Sequence, residues 1–199
     1  MDRIQSPYTD RNLISAVRVA ETLRKQNPTL FQPYPVKVSP GLHEVIEQTK
    51  SIKIEIKVDS TRETVRGFLL KNGSNGDPSI IIISDSQTYC WQRFTVMKEL
   101  CHVLTDTSDV NAKSAVQQLE EARKVKSLFP NPTECESYCE LLASIILMPV
   151  EVECDIPKLK SQGVSDYDIA DKVKMPEWIV SQYINLGLHE VVPILRKAF

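Results

Sequence analysis

The chain has 199 residues, of which 42% are hydrophobic and 25% charged, the proportions of an ordinary globule. Its 24 basic and 26 acidic residues leave a net charge of −2, so no overall field favours nucleic acid or an anionic membrane. The longest apolar run, Leu141 to Val150, is too short to span a bilayer, and five cysteines with no C-x-x-C pair and no secretory signal point to reduced thiols in a cytoplasm.

Leu13, Ile14, Val17, Ala20 and Leu23 recur at helical spacing and predict a helix over residues 11–25. Pro28, Pro33, Pro35 and Pro40 then mark an extended connector. A short helix is expected over residues 42–49, followed by strands over 52–58, 64–70 and 79–84. Residues 72–77, Asn-Gly-Ser-Asn-Gly-Asp, carry the turn signal of a hairpin between the last two strands. The unbroken run Ile80 to Ile83 reads as a strand covered on both faces. Beyond a helix around residues 94–104 come a polar loop at 106–111 and a charged helix over 112–126. Phe129-Pro130-Asn131-Pro132 breaks the chain before an apolar helix that starts near Glu136. The last part reads as short helices over 155–160, 166–173 and 176–186.

The helix around residues 94–104 carries the chemistry. Two histidines one turn apart with an intervening glutamate, H-E-x-x-H, grip zinc and supply a general base. Glu99 and His102 stand at such positions, and Lys98 stands where the first histidine would be. With Lys98 at 0° on the helical wheel, His102 falls at about 40°, Thr95 at about 60°, Asp106 at about 80° and Glu99 at about 100°. Most of the remaining circumference is apolar, so the helix should be largely buried. The narrow polar stripe either faces water or lines a cleft.

Lysine has no lone pair until it loses a proton, and its reference pKa is ~10.4. Beside a metal dication Lys98 would repel the ion; beside two carboxylates it would be attracted and could stand in the place of the metal charge. Cys101 and Cys139 are alternative thiolate ligands, although both positions also read as core packing. A desolvated Lys98 acting as base or nucleophile is a further alternative, which neighbouring carboxylates oppose. His43 and His189, the other histidines, have no tie to this stretch.

Downstream, residues 136–149 read Glu-Ser-Tyr-Cys-Glu-Leu-Leu-Ala-Ser-Ile-Ile-Leu-Met-Pro. This segment resembles the E-x-x-A-x-x-F-A-x-x-L-L-M-P helix of the ImmA/IrrE family of metallopeptidase-like proteins. In that family it follows a helix of the form R-F-T-x-x-H-E-x-x-H, matched here from Arg93-Phe94-Thr95 through Lys98, Glu99 and His102. The resemblance covers roughly residues 65 to 190. It implies His102 and Glu136 as metal ligands, Glu99 as the base, and Lys98 at the position of the missing ligand. Cys139, Glu140 and Leu142 depart from the family's usual alanine, asparagine and phenylalanine. From local sequence alone, Glu136 also completes a capping box with Thr133.

Residues 169–180 have the look of a helix-turn-helix. The segment from Glu151 onward holds six basic and eight acidic residues, whereas a DNA-reading unit should carry a positive stripe. A packed helical pair is therefore expected, and nucleic acid is not an expected partner.

The expected fold is α+β: a small, mainly antiparallel sheet packed on a zincin-like helix pair, with C-terminal helices. Residues 1–40 are expected to form an N-terminal helix and connector, 41–150 the metallopeptidase-like core, and 151–199 a helical extension packed on it. The resemblance implies a pseudo-peptidase with a protein partner, such as a transcriptional repressor or a peptide segment, in bacterial or mobile-element regulation. The alternative is an active zinc endopeptidase with an altered ligand set. Zinc at full occupancy is not expected. A partner strand would add to residues 52–58 or 64–70, since 80–83 is too apolar for an edge.

Overall fold

The computed structural model describes residues 9–60, 66–71, 77–105 and 132–199. In chain order its elements are α1 (Asp10–Gln26), α2 (Pro28–Phe31), α3 (His43–Lys50), β1 (Ile54–Asp59), β2 (Gly67–Leu70), β3 (Ser79–Ser84), α4 (Tyr89–Thr105), α5 (Pro132–Leu147), α6 (Val150–Ser161), α7 (Asp166–Val173), α8 (Glu177–Asn185) and α9 (Leu188–Arg196). The class is α+β, as expected. The charged helix over 112–126, the polar loop before it and most of the hairpin turn lie outside the described residues.

The chain divides into a continuous unit, Val38–Cys139, and a discontinuous one, Met1–Lys37 with Glu140–Phe199. This differs from the expected division into 1–40, 41–150 and 151–199. The first and last parts belong together, and the core ends within α5. The reason lies in the discontinuous unit, where α1 packs on α9 and α9 on α6 and α8. α1 begins on Thr9, whose hydroxyl accepts the Asn12 N–H at 3.2 Å, and buries Ala16, Val17, Ala20 and Leu23. α9 buries Leu188 and Val192. Neither apolar face can be covered by its sequence neighbours alone.

The two elements also share a charged cluster. Arg196 donates from Nη1 to Glu21, from Nε to Glu153 Oε2 at 3.0 Å and from Nη2 to the Ile145 carbonyl at 3.4 Å. Tyr183 donates its hydroxyl to Glu153, and Arg24 pairs with Glu21. Burial pushes the Glu153 carboxyl up to about 8, with Tyr183 and Arg24 opposing that rise.

The helix-turn-helix-like pair is α7 and α8. It turns through Lys174, which adopts a left-handed conformation at φ 54°. Its lysines are engaged: Lys174 with Asp171 at 2.7 Å, Lys160 with Asp166 at 2.8 Å, and Lys172 over the Tyr34 ring at 5.9 Å. No helix among the described residues is long and apolar enough to cross a membrane.

In the continuous unit the sheet order is β1-β3-β2. β2 runs antiparallel to β3, with Gly67 opposite Ile83 and Leu70 opposite Ile80. β1 runs parallel to β3, with Ile54 opposite Ser79 and Asp59 opposite Ser84. The antiparallel character expected is thus that of the β2–β3 pair; the parallel β1–β3 pair departs from it, because the chain passes the central position and returns to fill it. β3 is central, as its apolar run implied. Ile81 and Ile83 are buried, while Ile80 and Ile82 on the other face are half-buried.

α4 packs against α3, β2 and β3. Gly67 permits that approach: a Cβ there would lie 2.6 Å from Thr95 Cγ2 and 2.7 Å from the Ile82 carbonyl oxygen. The sheet therefore holds the Thr95 turn of α4 closely, and Lys98, Glu99 and His102 follow within the next two turns.

Candidate functional site

α4 is buried along most of its length, including Phe94, Met97, Leu100 and Cys101. Its polar stripe does not simply face water. It meets the first turns of α5 within the continuous unit. Glu99 is almost fully buried, at 4% exposure, and His102 and Lys98 are half-buried.

The structure brings together the four residues singled out in the sequence. Lys98 Nζ donates to Glu136 Oε2 at 2.8 Å and lies 3.2 Å from Glu99 Oε1. His102 Nε2 lies 3.1 Å from Glu136 Oε1. Among the described residues no acceptor lies in line with its N–H, so this contact is charge attraction more than an aligned hydrogen bond. Glu136 thus spans Lys98 and His102 with its two oxygens. α5 begins at Pro132, a favoured first helical residue. The capping-box reading of Glu136 depends on the Thr133 side chain, which lies outside the described residues.

The electrostatics follow from this packing. Burial works against the Lys98 ammonium, but Glu99 and Glu136 outweigh it and hold its pKa above the ordinary value. Burial pushes Glu99 up, and Lys98 and His102 offset part of that rise. Burial also disfavours the Glu136 carboxylate, yet His102 and Lys98 prevail and bring it down to about 2. His102 is pulled down by burial and pushed up by Cys135 and Glu136, reaching about 9.

On its other side His102 faces sulfur. Cys135 Sγ lies 3.8 Å from His102 Nδ1. Cys139 Sγ lies 3.8 Å from Thr105 Oγ1. A hydrogen bond with Cys139 lowers the Cys135 thiol and raises that of Cys139. His102, Cys135 and Cys139 place one donor atom each within 4.8 Å of one another. Cys101, an alternative ligand in the sequence, stays outside this group; it is wholly buried, and burial pushes its thiol well up. Cys135 is the residue that sequence reasoning missed. Its signal is the four-residue spacing to Cys139, which sets both thiols on one face of a helix.

The other histidines have separate roles. His43 Nε2 lies 2.8 Å from the Ile54 carbonyl oxygen beside β1. His189 belongs to the discontinuous unit, 3.8 Å from Glu190.

A catalytic zinc takes three protein ligands and keeps one position for water. Where the resemblance would put that metal, the donors among the described residues are His102 Nε2 and Glu136. The third place is held by the Lys98 ammonium, which has no lone pair to give. These residues do not fit a metal there. What they form is a cation bridging two carboxylates. Glu99 is paired with that cation at 3.2 Å. Neither a protein-family model nor a curated protein matches this chain.

Proposed function

We propose that this chain is a divergent ImmA/IrrE-like protein that has lost hydrolysis and acts by binding a protein in bacterial or mobile-element regulation. The observation that carries the reading is Lys98 Nζ, set 2.8 Å from Glu136 and 3.2 Å from Glu99. The ammonium supplies the positive charge that would otherwise come from the metal, so the helix pair keeps its geometry without a hydrolytic ion. The partner is a repressor or another protein offering an extended segment. β1 suits such a segment: it pairs on one side with β3, and Val58 near its end is 58% exposed. The pairing of lysines with acids along α6 to α8 argues against nucleic acid as that partner. Free thiols at all five cysteines agree with a cytoplasmic setting.

A second reading, an active zinc peptidase with an altered ligand set, draws on the cysteine cluster beside His102. One assay separates the two. Unfolded casein incubated with the protein and added zinc should stay intact, and Glu99→Gln should behave identically. Zinc-dependent cleavage that Glu99→Gln abolishes would overturn the pseudo-peptidase reading in favour of the second.

A further inference from the structure

We propose that His102, Cys135 and Cys139 form a binding site for a thiophilic metal ion of the zinc type, separate from the peptidase position that Lys98 fills. The three donor atoms converge within 4.8 Å, and Cys135 Sγ stands 3.8 Å from His102 Nδ1. Zinc bonds of ~2.3 Å to sulfur and ~2.0–2.1 Å to nitrogen, at tetrahedral angles, imply donor separations of ~3.5–3.8 Å. The cluster is therefore close to ligand spacing already, and small rotations of the cysteine side chains complete it.

The histidine is turned correctly for this role. Its Nδ1 lies against the Cys135 thiol, and its Nε2 lies 3.1 Å from a Glu136 oxygen. Metal-binding histidines commonly hold their second nitrogen against a carboxylate, which fixes the ring and raises its basicity. The same Glu136 that answers Lys98 thus serves as the outer partner of His102. Donor chemistry sets the ion class: two thiolates and an imidazole suit zinc or another thiophilic ion and disfavour magnesium and calcium.

Charge separates this site from the peptidase position. A dication beside Lys98 with only Glu136 and His102 as donors adds positive charge to positive charge. A dication on two thiolates is locally neutral, so the neighbouring ammonium no longer opposes it. Binding takes the protons still held by the two thiols and the one on His102 Nδ1, which all leave to solvent, so the site fills as pH rises. Cys139 is wholly buried and Cys135 half-buried, so the ion would sit between α4 and α5 and join them. Three protein donors leave one position for water or a group from another molecule. The site stands independently of whether the chain is a pseudo-peptidase.

Cobalt(II) is the probe, titrated into the reduced full chain. The expected result is a near-ultraviolet thiolate-to-cobalt charge-transfer band that saturates at one ion per chain and disappears on adding zinc. Cys135→Ser, at the half-exposed position, should lose the band and weaken zinc binding by ~100-fold or more, beyond the ~10–100-fold carried by outer partners. Cys154→Ser, at an exposed cysteine remote in sequence, should keep both. Circular dichroism of each variant establishes that it is folded. Absence of the band in the parent, or its survival in folded Cys135→Ser, would overturn the proposal and leave the thiols as packing groups. A cobalt site on histidine and carboxylate alone gives no thiolate band, so this result does not depend on the casein assay.

Discussion

Above about pH 8, where Glu153 is ionised, Arg196→Met is expected to destabilise the discontinuous unit by ~3–5 kcal/mol, the usual cost of removing one partner from a buried charge pair. Arg196 is nearly buried, Glu153 has no exposed surface, and one guanidinium reaches Glu153, Glu21 and the Ile145 carbonyl. No neighbouring group can take over all three contacts. Arg196→Lys should recover only part of the loss, because an ammonium keeps the charge but not the fork that spans two carboxylates. Thermal melts at several pH values test the account. The Glu153 carboxyl is raised by burial from an ordinary 4.5 to about 8, despite Tyr183 and Arg24. A raised carboxyl contributes stability that is full below its unfolded value and is lost as pH climbs through the folded one. Melting midpoints should therefore fall between pH 4.5 and about 8, and Glu153→Gln should flatten that slope. The penalty for Arg196→Met should be larger above this window, where the Glu153 carboxylate keeps only Tyr183 and the more distant charge of Arg24. A midpoint for Arg196→Met equal to the parent's throughout would refute the cluster as a stabilising element.

Lys98→Met is the second large effect, expected at ~2 kcal/mol. That value lies between the ~3–5 kcal/mol of breaking a buried pair and the ~0–1 kcal/mol of an exposed one. The side chains explain the placement: Glu99 is 6% exposed and Glu136 is 56% exposed. Glu136 loses a partner to water at little cost, whereas Glu99 is left buried with only the charge of His102 to offset it. Adding Glu99→Gln to Lys98→Met should restore most of the stability, because the orphaned charge goes with it. Equal melting of Lys98→Met and the parent would show that the ammonium bridges nothing of consequence.

The readable parts of the fold were those with a strong local period. α1, α3, α7, α8 and the three strands lie within a few residues of their sequence bounds. The centrality of β3 followed from Ile80 to Ile83 alone. α9 was missed because Pro193 inside it reads as a breaker, although its apolar face is clear once Leu188 and Val192 are seen against α1. The parallel pairing of β1 has no local signature, since register with a strand from beyond β2 leaves no mark on either segment.

In the site, motif spacing grouped Lys98, Glu99 and His102 on α4, the resemblance added Glu136, and the structure brings the four together. Cys135 escaped because its four-residue spacing to Cys139 is equally that of two small apolar groups packed on one helix face. Glu153, Tyr183 and Arg196 escaped for a different reason. Each is an ordinary polar residue in its own segment, and Arg196 meets Glu21 across 175 positions of sequence.

That separation has a kinetic side. The contacts between α1 and α9 close a loop that contains the whole continuous unit. Closing a disordered loop costs entropy that grows with its length. Once the continuous unit, Val38–Cys139, has folded, its length no longer adds to the disordered loop, and the loop that remains is shorter. The order of events should then be inner unit first and outer unit second, with long-range contacts setting the slow step. Each unit carries one of the two tryptophans, Trp91 inside the continuous segment and Trp178 on α8. Stopped-flow fluorescence of Trp178→Phe and Trp91→Phe therefore reports the units separately. The inner signal should develop at least as fast as the outer one, and an outer signal that completes first would reverse the order.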